Sequence, residues 1–234
     1  MSAISIRDLN GMPEFEAAEN LQLAVWGTDD RPDPADLMMV VAQEGGLVAG
    51  AFDGETLVGY IFGFPTKNAT IQHSHRLAVL PHARGAGLAA KLKWYQRDWC
   101  LARGIETMRW TYDPLRAVNA NLNIHRLGCT AGTYFENYYG VMAGINQGAP
   151  SDRLLAEWCL RSPQVQARAN ATPIDAIQPQ QTITIPADFG AILANDETLA
   201  LSERLRVRAA MTKAFGQGLR LVGFDAARCA YLLA

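Results

Sequence analysis

No charge of one sign dominates this chain: 21 Lys and Arg stand against 23 Asp and Glu, a formal net charge of -2, and the basic residues are dispersed among the acidic ones. Such a balance offers no basic face of the kind that draws nucleic acid, so DNA and RNA binding is disfavoured. Long apolar runs are missing too; none approaches the roughly 20 residues that a bilayer span needs, and no membrane partner is expected. Cysteine is sparse. Cys100, Cys129, Cys159 and Cys229 stand far apart, with no C-x-x-C pair and no clustered histidine. A structural zinc site therefore has little support, no metal is required, and free thiols in a reducing compartment fit better. The opening residues Met1 to Asp8 lack a basic stretch followed by an apolar core, so no secretory signal is indicated and a cytoplasmic location is the expectation.

What is present is an alternation of short apolar runs and helical faces. Ile4 and Ile6 alternate with polar residues as in a short strand, and Phe15, Ala18, Leu21, Ala24 and Val25 recur at helical spacing up to Trp26-Gly27. Leu37, Met38 and Val41 supply a second helical face after the Pro32 to Pro34 turn. Two apolar runs, Leu47 to Asp53 and Thr56 to Phe64, meet at Asp53-Gly54, a strong hairpin signal. Thr70 to Leu80 reads as a strand stopped by Pro81, and Leu88, Leu92, Tyr95, Trp99 and Ala102 form a helical face closed by Gly104. Further on, Glu106 to Tyr112 predicts a strand, Asn119 to Leu127 a short helix, Thr130 to Tyr139 and Leu154 to Leu160 further strands, and Ser162 to Gln181 a long connection. Asn195 is placed to cap a helix running to Gly216, with strands at Leu219 to Phe224 and Ala230 to Leu233. The fold class is α/β (α+β). The expected division is a first domain over residues 1–148 and an extension over 149–234 packed on it, because the last part offers too small a core to stand alone.

The informative unit is strand, glycine turn, helix. Arg84-Gly85-Ala86-Gly87-Leu88-Ala89 follows the strand and Pro81 and leads directly into the helix. Gly85 and Gly87 permit close backbone approach, and the N–H groups of a helix start present the favourable end of the macrodipole to an anion. A diphosphate suits such a nest. Glycine pairs also make plain tight turns, but the flanking strand and helix favour the anion site. Gly85, Gly87 and Ala90 satisfy a loose dinucleotide fingerprint as well, yet the turn follows several strands instead of opening a βαβ unit, and the G-K-[ST] ending of a P-loop is absent.

The turn resembles the signature [Q/R]-x-x-G-x-[G/A] of the GCN5-related N-acetyltransferase (GNAT) superfamily, met here by Arg84, Gly87 and Ala89, and element order extends the resemblance over about residues 4 to 140. The resemblance implies a mixed, splayed central sheet flanked by helices, with acetyl-CoA or another acyl-CoA as donor. It also implies that the coenzyme pyrophosphate lies on the amides of Arg84 to Ala89, that Leu77 and Val79 offer backbone groups to the pantetheine arm, and that Trp110 to Asp113 form the other wall of the slot. A small-molecule amine or an amino acid would be the acceptor. The segment from Asp113-Pro114 to Leu127-Gly128 is also similar to a subgroup of the superfamily found beside amino-acid racemases, which would imply N-acylation of an amino acid, with succinyl an alternative to acetyl.

Direct transfer needs a base for the ammonium and an acid for the departing thiolate. Many relatives carry a tyrosine as that acid, where this chain has Ile124. Asn119 and Asn123, at i and i+4, can donate to a coenzyme amide or to the thioester oxygen; a polar helix face is the plainer account. His75, two residues before Leu77, is the leading base, since imidazole is the side chain suited to proton relay near neutral pH. His73 shares its strand face, and a structural histidine is the competing reading for both. Asp113, beside Pro114, is the second base, with a turn-capping role as its alternative. Tyr134, with Tyr138 and Tyr139, can supply an acid or simply pack, while Arg76 and Arg109 can hold an acceptor carboxylate or form ordinary ion pairs. Two rivals to an enzyme stand: a module that binds acyl-CoA without turning it over, and a structural partner with an accidental turn. A homodimer is left open.

Overall fold

The computed structural model describes residues 4–140, 149–174 and 176–234. The expected boundary at 148 falls outside the described residues. Two compact units divide the chain, Met1–Met108 and Arg109–Ala234.

The first unit contains β1 (Ser5–Asp8), α1 (Met12–Trp26), α2 (Ala35–Gln43), β2 (Leu47–Asp53), β3 (Thr56–Pro65), β4 (Ile71–Val79) and α3 (Leu88–Leu101). Its strands pair in sequence and antiparallel: Ile6 faces Ala51, Ala49 faces Ile61, and Ile61 faces Leu77. Asp53-Gly54 makes the expected hairpin, with Asp53 paired to Thr56 and Gly54 at φ +62°. β2 and β3 are apolar along almost their whole length because both faces are covered. Helices α1 and α2 bring Phe15, Ala18, Leu21 and Met38 against Val48, Phe52, Tyr60 and Phe62. Leu88 and Leu92 of α3 join Leu47, Ala49, Val58 and Ile61 in a second cluster.

A polar layer interrupts the apolar packing between β4 and α3. Lys93 Nζ donates to Ser74 Oγ at 2.7 Å, Ser74 to Gln96 Oε1 at 2.9 Å, and Cys100 Sγ to Gln72 Oε1 at 3.2 Å, all buried. Gly63 makes the space, since a Cβ there would stand 2.6 Å from Gln96 Nε2. Burial pushes the Cys100 thiol up to about 12.

β5 (Thr107–Tyr112) crosses from the first unit into the second and shows the period of two expected of a strand, with Met108, Trp110 and Tyr112 buried. The second unit continues with α4 (Ala117–Ala120), a π-helical turn at Asn121–Arg126, β6 (Tyr134–Phe135), β7 (Arg153–Cys159), α5 (Pro163–Ala169), β8 (Gln181–Thr184), α6 (Phe189–Asn195), α7 (Glu197–Gly216), β9 (Leu221–Asp225) and β10 (Ala230–Leu233). Here β7 lies between β5 and β6, and a separate sheet has the order β8-β10-β9. Trp158 is fully buried, meets Trp110 edge to face at 6.0 Å and donates from Nε1 to the Leu127 carbonyl at 2.8 Å.

Four local expectations need correction. The stretch expected as a long connection from Ser162 contains α5, started by a serine cap whose Oγ accepts from Val165 N and by Pro163 in the first turn. The cap of α7 is Asp196, not Asn195, whose amide donates to the Ala191 carbonyl instead. The strand expected over Thr130 to Tyr139 reduces to Tyr134–Phe135 plus single bridges at Thr130 and Ala131. The helix expected over Asn119 to Leu127 widens into the π turn, where Leu127 N donates to Leu122 O, five residues back.

Candidate active site

β4 ends at Val79, and Leu80 leads into a single 3-10 turn over Pro81–Ala83 before Arg84 to Gly87 deliver the chain to α3. Gly85 has φ +88° and Gly87 φ +71° with ψ 15°, left-handed values that a side chain strains to adopt. Among the described residues, a Cβ on Gly85 would meet nothing within 4 Å. Its glycine therefore serves conformation, not packing. Arg84, Gly85 and Ala86 are exposed while Ala83 and Leu88 are buried, so the turn is anchored at both ends and open between them.

The electrostatics favour an anion. α3 has no side-chain cap and no acidic residue in its first turn. Lys91 N closes on the Gly87 carbonyl at 3.1 Å, which leaves the preceding amides of the helix start without an intrahelical acceptor. Arg84 folds back so that Nε donates to the Val79 carbonyl at 3.1 Å, keeping a guanidinium beside the turn. Clustered amides, a macrodipole end of 14 residues and an adjacent cation fit a diphosphate. On β4 itself, Val79 is buried opposite Gly59 and Leu77 is half-buried opposite Ile61.

His75 projects from the exposed side of β4. Its Nε2 lies 3.2 Å from Asp33 Oδ1, and Phe62 meets its ring edge to face at 5.5 Å. His73 stacks on Phe64 at 4.8 Å and stands 6.1 Å from the His75 ring. Arg76 is engaged by Asp30 at 2.5 Å and lies over the Trp26 ring. Among the described residues the buried Tyr60 hydroxyl has no hydrogen-bond partner, and desolvation, then the nearby Asp33 charge, push it far up.

In the second unit Asp113 and Tyr134 are already bonded. Both oxygens of Asp113 accept from Arg204, at 2.6 and 2.8 Å, and Oδ1 also accepts from Leu115 N at 2.9 Å. Tyr134 donates to Asp152 Oδ2 at 2.7 Å; burial and that carboxylate push its phenol far up. Asp152 is fully buried and is also held by Arg208 through both oxygens. Tyr139 shares a hydrogen bond with Thr111 at 3.1 Å, and Tyr138 is exposed. Ile124 is fully buried, Asn123 is buried and Asn119 half-buried around the junction of α4 with the π turn. Such a wide turn within a helix is often found at functional sites.

A family model described as the acetyltransferase (GNAT) family matches residues 12–128, half of the chain. The chain belongs to that acetyltransferase family. Membership makes it an N-acyltransferase with an acyl-CoA as donor. Among curated proteins none matches the sequence.

Solved structures of GNAT enzymes share its fold. The ribosomal-protein-S18-alanine N-acetyltransferase of Escherichia coli is 17% identical, with 68% of this chain and 95% of that one covered and a TM-score of 0.56. A GNAT superfamily phosphinothricin acetyltransferase from Sinorhizobium meliloti, in complex with acetyl-CoA, is 17% identical over 66% of this chain and 86% of that one, with a TM-score of 0.53. At such identities the likeness is one of fold.

Two features escaped the sequence reading. One is the group of Asp30 and Asp33 around His75 and Arg76, whose signal was the Pro32-Asp33-Pro34 turn. The other is Arg204, which reaches Asp113 across 91 residues and left no local signal.

Proposed function

We propose that this GNAT enzyme transfers an acetyl or succinyl group from coenzyme A to the amine of a small molecule, with amino acids the acceptor class to test first. The observation that carries the reading is the uncapped, acid-free start of α3, set on two positive-φ glycines at the end of the strand that bears His75. His75 is the base. It takes one proton from the acceptor ammonium, and the freed amine lone pair attacks the thioester carbonyl. The C–S bond then breaks as the nitrogen gives up its second proton, leaving an amide and a coenzyme thiolate that takes up one proton. Asp113 and Tyr134 rank behind His75 in proton transfer, because Arg204 and Asp152 already occupy their oxygens. Asn119 and Asn123 are proposed donors to a coenzyme amide. We place the enzyme in the cytoplasm because its four widely spaced cysteines form no disulfide among the described residues; among those residues no helix is long and apolar enough to cross a membrane.

One observation favours a second reading, acyl-CoA binding without turnover. Ile124, at the position of the usual acid, is apolar and fully buried. Free-thiol release from acetyl- and succinyl-CoA against pooled amines and amino acids separates the two. Coenzyme binding with no thiol release under any acceptor would overturn the enzyme reading for that set. In the active pool His75→Gln should cut turnover roughly 10²-fold or more while coenzyme affinity holds. A wild-type rate and pH profile in that variant, under conditions where chemistry limits turnover, would remove His75 from the proton path.

A further inference from the structure

The turn between α1 and α2 is built more firmly at one residue than a surface ion pair requires. Asp33 stands between Pro32 and Pro34, which limit the backbone on both sides. Its N–H donates to Gln22 Oε1 at 2.8 Å and its carbonyl accepts from Gln22 Nε2 at 3.2 Å. Gln22 is completely buried in α1, so the clamp is not in competition with solvent. Two residues on, Ala35 N donates to Glu19 Oε2 at 2.8 Å. The side chain is held as well: Oδ1 lies 3.2 Å from His75 Nε2, and Oδ2 lies 3.2 Å from Arg76 Nε in an ion-pair contact. Arg76 is fixed in turn by Asp30, by the Arg31 carbonyl at 2.9 Å and by the Trp26 ring. Exposed ion pairs between mobile side chains need none of this.

We propose that Asp33 is a positioning residue that holds His75 as the Nε2–H tautomer, so that Nδ1 is the atom that takes the proton from the acceptor ammonium. The inference rests on the reading of His75 as the base. Carboxylate oxygens only accept hydrogen bonds, so the ring nitrogen facing Asp33 must carry the hydrogen, and neutral imidazole then has its lone pair on the other nitrogen. No hydrogen bond engages Nδ1 among the described residues, and the ring is partly exposed. The charged and titratable groups around the ring are Asp33 and Asp30 from the turn and Arg76 and His73 from β4, while β3 contributes Phe62, Phe64 and the phenol of Tyr60. In the step itself one N–H bond of the ammonium breaks and one forms at Nδ1. The imidazolium keeps its Nε2 proton on Asp33 and returns the Nδ1 proton to solvent.

The test reads the tautomer directly, in the full chain, by long-range proton–nitrogen correlation spectra of ¹⁵N-labelled protein, with the His75 signals assigned by their loss in His75→Gln. The expected result is a neutral ring protonated at Nε2 and bare at Nδ1. Asp33→Asn should redistribute the proton towards Nδ1, because the amide can donate to Nε2, and lower kcat about 10- to 100-fold with little change in coenzyme affinity, the usual cost of losing the group that orients a working histidine. Asp33→Glu should restore part of the rate. Wild-type protein with its proton on Nδ1, or an Asp33→Asn variant with an unchanged tautomer and kcat, would overturn the proposal. The wild-type spectrum decides even if Asp33→Asn fails to fold. Loss of the base reading is seen separately, as undiminished turnover in His75→Gln, whatever tautomer the spectra show.

Discussion

Gly87 turns the backbone into α3 through a left-handed conformation. At φ +71° and ψ 15° it sits in the left-handed region, where an L side chain costs about 1–2 kcal/mol, least for Asn and Asp. Gly87→Asp is therefore a sharper probe than a bulkier residue: Asp is among the side chains least strained in that conformation, and it sets a negative charge where a diphosphate belongs. Calorimetric titration with coenzyme A should show at least a roughly 10-fold loss of affinity, equal to about 1.4 kcal/mol. Unchanged affinity in a folded variant would move the pyrophosphate elsewhere. This residue was legible from sequence because its role is local, fixed by neighbours within a few positions. His75 was legible as a candidate, but its partner Asp33, 42 residues away, was not.

At the scale of the element, caps and turn residues separate what was readable from what was misread. α7 starts where Asp196 Oδ1 accepts from Leu199 N at 2.9 Å, and the side chain is exposed. Asp196→Ala removes one cap without disturbing a core, so it should cost about 1 kcal/mol, which in a chain of this size lowers Tm by roughly 2–4 °C. Thermal unfolding followed by circular dichroism checks it; no shift would mean that the start of α7 is held by packing alone. Reading Asn195 as the cap missed by one residue because both neighbours have capping side chains, and only the backbone path chooses between them. The Ser162-Pro163 start of α5 carried a plain signal that the surrounding Gln, Ala and Pro obscured. The π turn carried none. It forms where Leu127 and Cys129 donate back to Leu122 and Asn123, and Gly128 takes φ +77° against the Arg168 side chain.

On the scale of the whole molecule, the last third of the chain completes the second unit. Arg204 neutralises buried Asp113, Tyr231 donates to the Pro114 carbonyl at 2.9 Å across 117 residues, and Leu221 exchanges backbone hydrogen bonds with Ala131. We propose on that basis that the residues after 148 are not a separate enzyme. Shortening the chain to residues 1–148 would strip the cover from Trp110, Ile124 and Leu127 and leave Asp113 without its partner, a loss of several kcal/mol for a buried charge. The shortened chain should aggregate or bind a hydrophobic dye strongly. If it proves soluble, monomeric and fully active, the final segment is dispensable.

By itself the sequence determined the family, the glycine turn, the β2–β3 hairpin and the amphipathic helices α1 and α3, because each depends on backbone preferences and apolar periodicity over a few consecutive residues. Tertiary structure alone decided which polar side chains are committed. Asp113 and Tyr134 look free on paper and are held by Arg204 and Asp152, whereas Asp33 looks like a turn residue and stands against His75. The physical reason is that a hydrogen bond between side chains is set by where two distant segments are brought by burial, and the cost of leaving a buried polar group unpaired is met only once the whole fold has closed.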